Sequence, residues 1–162
     1  MIYLDHAATS PPLYTAMQAH YNEMLRFSGN PNSLHALGCQ AARQLEQAKT
    51  IVAGCLSCDP EQVIFTSSAS QACDLAIRFL FSTCEKNAVS DADHAATYDF
   101  FGREISVPTK KLGVRPGKGI SHIHTSNETG RLYPIERLLQ DYDVLFSDCT
   151  AAMGKSPLCF TT

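Results

Sequence analysis

Residues 143–155 read DVLFSDCTAAMGK. Val144, Leu145 and Phe146 form a short apolar run, Ser147 and Asp148 follow it, and a turn rich in small residues comes next. An apolar run of this length between polar residues reads as a buried strand. In layered α/β folds, ligands gather beyond the carboxyl ends of such strands. Asp148 therefore stands where an acid usually holds something basic.

Two further segments upstream repeat the pattern. VIFT (63–66) reads as a short buried strand, and SSAS (67–70) then turns into a helix over 70–81 that contains Leu75, Ala76, Phe79 and Leu80. Backbone amides and hydroxyls at such a turn can hold an anion at the positive end of the helix; the same residues serve equally as a helix N-cap. ISHIHT (120–125) alternates like a strand and runs into SNETG (126–130), where the Asn127 side chain can donate and accept hydrogen bonds. NAVSDADHAATYDFFG (87–102) suggests a brief strand, a loop and a helix, EISVPT (104–109) another strand, and YPIERLLQ (133–140) a helix with Pro134 near its start. Strand and helix alternate throughout this region, which points to an α/β fold with a largely parallel sheet.

The amino-terminal part reads differently. Residues 2–4 suggest a short strand ended by SPP (10–12). Residues 12–26 look helical, with Leu13, Met17 and Met24 among their apolar positions, and FSGNPNS (27–33) is a loop by composition. Ser33 is placed to cap a helix over 34–56, where Leu34, Leu37, Ala41, Leu45, Ala48, Val52 and Leu56 recur every three or four residues. KKLGVRPGKG (110–119) is turn-rich and basic, and reads as an exposed, mobile segment. The expected organisation is a single domain over 1–162, with an arm and helix over 1–26 and the α/β part over 27–162.

Composition narrows the function classes. The chain is 44% hydrophobic and 18% charged, within the ordinary globular range. Its net charge is −3, and its 13 Lys and Arg residues are scattered, which argues against a nucleic-acid partner. No run approaches the roughly 18 apolar residues of a membrane span. The start, MIYLDHAATS, has an acid and no basic region, unlike a secretory signal. The seven cysteines (39, 55, 58, 73, 84, 149 and 159) are an odd number in a chain of this composition, so reduced thiols and a cytoplasmic location are expected. Cys55 and Cys58 form a C-x-x-C at the end of a helical pattern and read as core packing rather than a redox or metal pair. The six histidines show no regular metal spacing.

Taken in order, YLDHAATS (3–10), GNPNSLHALG (29–38), VIFTSSASQACDLAI (63–77), SNETG (126–130) and DCTAAMGK (148–155) resemble the class V aminotransferase-like pyridoxal phosphate family, and within it the cysteine desulfurases. The resemblance runs from residue 2 to about 157. It implies a three-layer α/β sandwich, the large domain of the pyridoxal phosphate-dependent transferase fold in truncated form. It also implies conversion of cysteine to alanine, with sulfur transfer towards iron–sulfur cluster assembly. By the same resemblance, Ala69 and Ser70 cradle the cofactor phosphate and Asp148 faces the pyridine nitrogen. Asn127 orients the ring near its phenolic oxygen, and His94 stacks on the ring and moves protons. Asn30 and His35 belong to the active-site surround on the substrate side. For His94 a helix-capping or surface role stands open beside this reading, as does a loop-stabilising role for Asn30 and His35.

Several positions depart from the family pattern. Ser68 stands where the family has a glycine, Gln71 replaces a glutamate, Ser126 an asparagine, and Ala151 the glutamine near the cofactor oxygen. The family's cofactor-bonding lysine and sulfur-accepting cysteine belong to a carboxyl-terminal part beyond Thr162. Lys155 is not the equivalent of that lysine, and none of the seven cysteines inherits the thiol's role. Two expectations follow. One is a desulfurase completed by a partner, either a homodimer or a second chain carrying the other half. The other is a catalytically inactive relative that serves as a binding or scaffold module.

Overall fold

The computed structural model describes residues 2–26, 29–101, 106–107 and 119–158. The basic segment over 110–118 and Cys159 lie outside the described residues. Contacts divide the chain into two compact units, one running to Phe65 (with Leu158) and one spanning Thr66–Pro157.

The first unit is helical. Helix α1 (Tyr14–Arg26) carries no buried residue, and Leu13, Tyr14, Tyr21, Met24 and Leu25 are all exposed. Helix α2 (Ala36–Leu56) is followed by a 3-10 turn, Pro60–Gln62. His35, not Ser33, caps α2: its Nδ1 accepts the Gly38 N–H at 3.3 Å. Ser33 lies two residues before that N-cap position, in a turn where its N–H donates to the Asn30 carbonyl at 2.9 Å. Residues 2–4 form no strand, because the Tyr3 hydroxyl donates to the Asp5 and Thr9 carbonyls and curls the segment on itself.

The loop before α2 lies against the helix's first turn at two glycines. A Cβ on Gly38 would run into the backbone carbonyls of Ser33 and Asn30, and one on Gly29 into that of Leu37. Gly54, further along α2, has open space around it. Helix propensity alone makes Gly→Ala stabilising by about 1 kcal/mol in a helix interior. We expect Gly54→Ala to raise the urea midpoint accordingly. Gly38→Ala should cost about 1–3 kcal/mol of stability through overpacking and lower the midpoint, and equal effects at the two sites would refute the close approach.

The second unit holds the sheet. Strands β1 (Asn87–Ser90), β2 (Ser106–Val107), β3 (Gly119–Ser121) and β4 (Val144–Phe146) lie in the order β2-β1-β3-β4, all parallel. Helices α3 (Ala69–Thr83) and α4 (Ala95–Phe101) pack against each other, α4 contacts β1, and α3 contacts β3 and β4. On α3, Cys73, Ile77 and Leu80 make a buried stripe at helical spacing, which meets Val89, Val144 and Phe146. Alternation along the strands sends Ala88 and Ile120 to the other face, against Leu138 and Tyr142. Leu138 belongs to Ile135–Gln140, which is a six-residue 3-10 helix rather than an α-helix. The result is a parallel sheet with helical layers on both faces, as the alternation in sequence implies.

VIFT does not join this sheet. Among the described residues it pairs with no strand, and Ile64 is 77% exposed and Phe65 is 50% exposed. Its residues straddle the boundary between the two units, where an apolar run has no neighbouring strand to pair with. Among the described residues, no helix is long and apolar enough to cross a membrane.

Candidate functional site

All four strands are parallel, so their carboxyl ends share one edge, and the strand order reverses between β1 and β3. Such a switch point is where open α/β sheets bind ligands. His94 follows β1, Asn127 follows β3 and Asp148 follows β4. Helix α3 leads back into the amino end of β1, which brings its own N-terminus to the same edge. Cys73 near the start of α3 feels the charges of Asp148 and Asp93, in keeping with that placement. Five sequence-predicted residues, Ala69, Ser70, His94, Asn127 and Asp148, thus fall in one unit and on one edge.

Each is held by local bonds. At the start of α3, the Ser68 Oγ accepts the Gln71 N–H at 3.2 Å, while Gln71 Oε1 accepts from the Ser67 N–H and hydroxyl at 2.7 and 2.9 Å. Ser68 and Gln71, both departures from the family pattern, therefore build a reciprocal cap. Helix geometry leaves the Ala69 and Ser70 amides without an intrahelical acceptor, and both residues are exposed beside the Ser70 hydroxyl. His94 is exposed, and its Nδ1 accepts the Ala96 N–H at 3.2 Å, so it caps α4. That bond puts the proton of the neutral ring on Nε2.

Residues 124–132 form a hairpin-like loop, bridged between Thr125 and Leu132. Buried Ser126 organises it, its hydroxyl accepting the Glu128 and Thr129 amides at 3.3 and 3.2 Å. Asn127 is exposed at the tip. Asp148 is half-buried; Oδ1 accepts the Thr150 N–H at 2.9 Å, and among the described residues Oδ2 accepts no hydrogen bond. Its carbonyl accepts the His124 N–H at 2.9 Å, and the Ser147 hydroxyl donates to the His122 carbonyl at 2.8 Å, which continues the β3–β4 pairing beyond the strands.

Asn30 and His35 belong to the other unit, and both are engaged locally. Asn30 Oδ1 accepts the Asn32 N–H at 2.9 Å, and His35 caps α2.

Sequence reading passed over Asp93. Its Oδ2 accepts the Ser121 hydroxyl at 2.5 Å and its Oδ1 accepts the Ile123 N–H. Burial pushes its carboxyl up to about 7; the bonds from Ser121 and Ile123 lower it, and the charges of Asp148 and Asp91 raise it further. Burial likewise raises the Cys73 thiol, with the Thr97 hydroxyl opposing and Asp148 and Asp93 adding to the rise. Burial is also the main cause of the rise at Cys149. Buried His122 is held neutral by desolvation; its Nδ1 donates to the Ile123 carbonyl at 2.7 Å, and its ring lies 4.7 Å from that of Tyr133. Among the described residues, no cluster of three His, Cys, Asp or Glu side chains could hold a metal ion.

These features suit pyridoxal phosphate on physical grounds. The edge offers free amides and a hydroxyl at a helix N-terminus for a phosphate. It also offers a carboxylate whose charge already presses on a second acid, a setting that favours a cationic N–H donor.

Comparison with known proteins identifies the family. The aminotransferase class-V profile matches residues 2–101. A putative cysteine desulfurase NifS of Halalkalibacterium halodurans is 34% identical over 183 aligned residues, covering 96% of this chain and 48% of that protein. Among solved structures, a NifS-like protein superposes with a TM-score of 0.86 at 20% identity, covering 98% of this chain and 51% of the other. The C-DES mutant with glycine covalently linked to its PLP cofactor gives a TM-score of 0.62 at 17% identity, covering 90% and 45% of the two chains. The chain thus spans about half the length of the relatives it matches. With more than half of its residues fitting the profile and its parallel sheet matching these folds, the chain belongs to the aminotransferase class-V family.

Proposed function

We propose that this chain acts as a single cofactor-binding domain forming the amino-terminal part of a pyridoxal phosphate-dependent cysteine desulfurase. The observation that carries the reading is the gathering of the α3 amides, His94, Asn127 and Asp148 on one sheet edge within one unit. When bound, the cofactor supplies an electron sink for bond breaking at the substrate α-carbon. The Ala69 and Ser70 amides and the Ser70 hydroxyl hold its phosphate. Asp148 keeps the pyridine nitrogen protonated through a charge-assisted hydrogen bond. Asn127 sits to orient the phenolic oxygen, and His94, fixed through Nδ1, offers its ring face and Nε2 proton. Asn30 and His35 are assigned to the substrate side on the resemblance alone.

Conversion of cysteine to alanine further requires a lysine and a sulfur-accepting thiol, which the family resemblance places beyond the part of the fold that this chain matches. Ala151 favours the second reading, a binding or scaffold module without activity, since it offers no hydrogen bond where the family places glutamine. The test is an absorbance titration of the chain with pyridoxal phosphate. Saturable binding without covalent attachment is expected. A band that disappears on replacing one lysine would overturn the view that this chain lacks the cofactor-bonding lysine, and absence of binding would sink the cofactor reading altogether.

A further inference from the structure

We propose that Asp93 is a positioning residue of this site: its carboxyl straps the turn carrying His94 to the exit of β3, and its charge follows what Asp148 holds. The second half of that statement rests on the cofactor reading above; the first does not.

The geometry is specific. The turn after β1 is fixed at its base, where the Ser90 hydroxyl accepts the Ala92 N–H at 3.1 Å and the Ser90 carbonyl accepts the Asp93 N–H at 3.2 Å. From there the Asp93 side chain reaches β3 and bonds Ser121 and Ile123, residues 28 and 30 positions away in sequence. Those bonds cross between β1 and β3, where the strand order reverses and a ligand crevice belongs. His94 is the next residue, and its backbone carbonyl accepts the Thr97 and Tyr98 amides that begin α4. One carboxyl therefore fixes both the origin of α4 and the root of the His94 ring. On the far side of the same β3 exit, the backbone carbonyl of Asp148 accepts the His124 amide. The Asp93 side chain and the Asp148 backbone thus hold the same short segment after β3.

The groups that face Asp93 are Ser121 and the Ile123 amide from β3, Asp148 from beyond β4, Asp91 from its own turn, and the Cys73 thiol from α3. Among the described residues, none of these is a cation. A half-buried acid in that company takes up a proton while Asp148 is an anion, and releases it more readily when a cation neutralises Asp148. A purely structural strap would keep the geometry and show no such linkage.

The experiment follows the Asp93 carboxyl carbon and the Ile123 amide by NMR across a pH titration of the full-length, ligand-free chain. Asp93 should titrate far above the ordinary carboxylate range. Asp148→Asn should move that midpoint down by about one pH unit. Asp93→Asn should abolish the titration seen at Ile123 and leave the His94 ring signals in place, whereas Asp93→Ala should displace them. An ordinary midpoint, a midpoint indifferent to Asp148→Asn, or His94 signals unmoved in Asp93→Ala would each overturn the proposal. If Asp93→Ala does not fold, the Asp148→Asn shift still decides. Adding pyridoxal phosphate should then lower the midpoint in wild type and not in Asp148→Asn. If only this last step fails, the cofactor reading is refuted, while the ligand-free shifts have already upheld the strap and its coupling to Asp148.

Discussion

Asp148→Ala is expected to weaken pyridoxal phosphate binding by roughly 30- to 150-fold while the chain stays folded. A hydrogen bond to a charged group contributes about 2–3 kcal/mol, and each 1.4 kcal/mol is about tenfold in affinity. The fold itself leans little on this carboxylate, because its hydrogen bond among the described residues is to the amide of Thr150, an exposed turn residue. Asp148→Asn separates the two roles. An asparagine keeps an oxygen for the Thr150 N–H and loses the charge, so it should bind nearly as poorly as the alanine variant. Tight binding by Asp148→Asn, measured by equilibrium dialysis, would mean that the turn and not the charge holds the ring.

The second large effect is on stability against pH. Asp93 has a folded-state value of about 7 against an ordinary 3.8. Between those limits the folded chain binds more protons than the unfolded chain, so stability falls as pH rises. The contribution is fully present below about pH 4 and is lost by about pH 7. Its size is on the order of 4 kcal/mol, a large part of a small domain's total. His122 acts in the opposite direction: burial lowers its value, so its contribution is lost as pH falls below about 6.5. The difference between wild type and Asp93→Asn isolates the acid. An asparagine can accept from Ile123 and donate to the Ser121 oxygen as the protonated acid does. Urea unfolding should therefore find the two proteins similar at pH 4 and the variant more stable at pH 8. A constant difference across that range would show that Asp93 is ionised throughout.

Much of this was legible in the residues. Alternating apolar runs and helical spacings placed β1, β3, β4 and α3 within a few positions, because each has a face that the core covers; α2 also falls where its spacing put it, although only Gly38 and Ala53 in it are buried. The same rule misplaced VIFT, whose four residues look like a core strand. Burial is a property of neighbours, and the sheet's places are taken by other segments. Ser33 has the right chemistry to cap α2, but the helix begins two residues later than the spacing suggests, so His35 stands at the cap position and does the capping. Ser68 and Gln71 look like losses from a phosphate loop, and locally they are a working cap. Asp91 and Asp93 are indistinguishable in sequence; which one turns inward is set by strand β3, 30 residues later. No spacing rule carries that information.

That distance has a consequence in time. A ribosome adds roughly 5–20 residues per second, so β1 is made roughly two to six seconds before β3 exists to pair with it. Until then Val89 has α3, α4 and β2 for company, and Asp93 is an ordinary hydrated carboxylate. The strap is fastened late, when the nascent chain has carried Ser121 and Ile123 past it. The proton on Asp93 is therefore acquired during folding rather than at synthesis, which makes closure of the sheet a step that takes up acid from its surroundings.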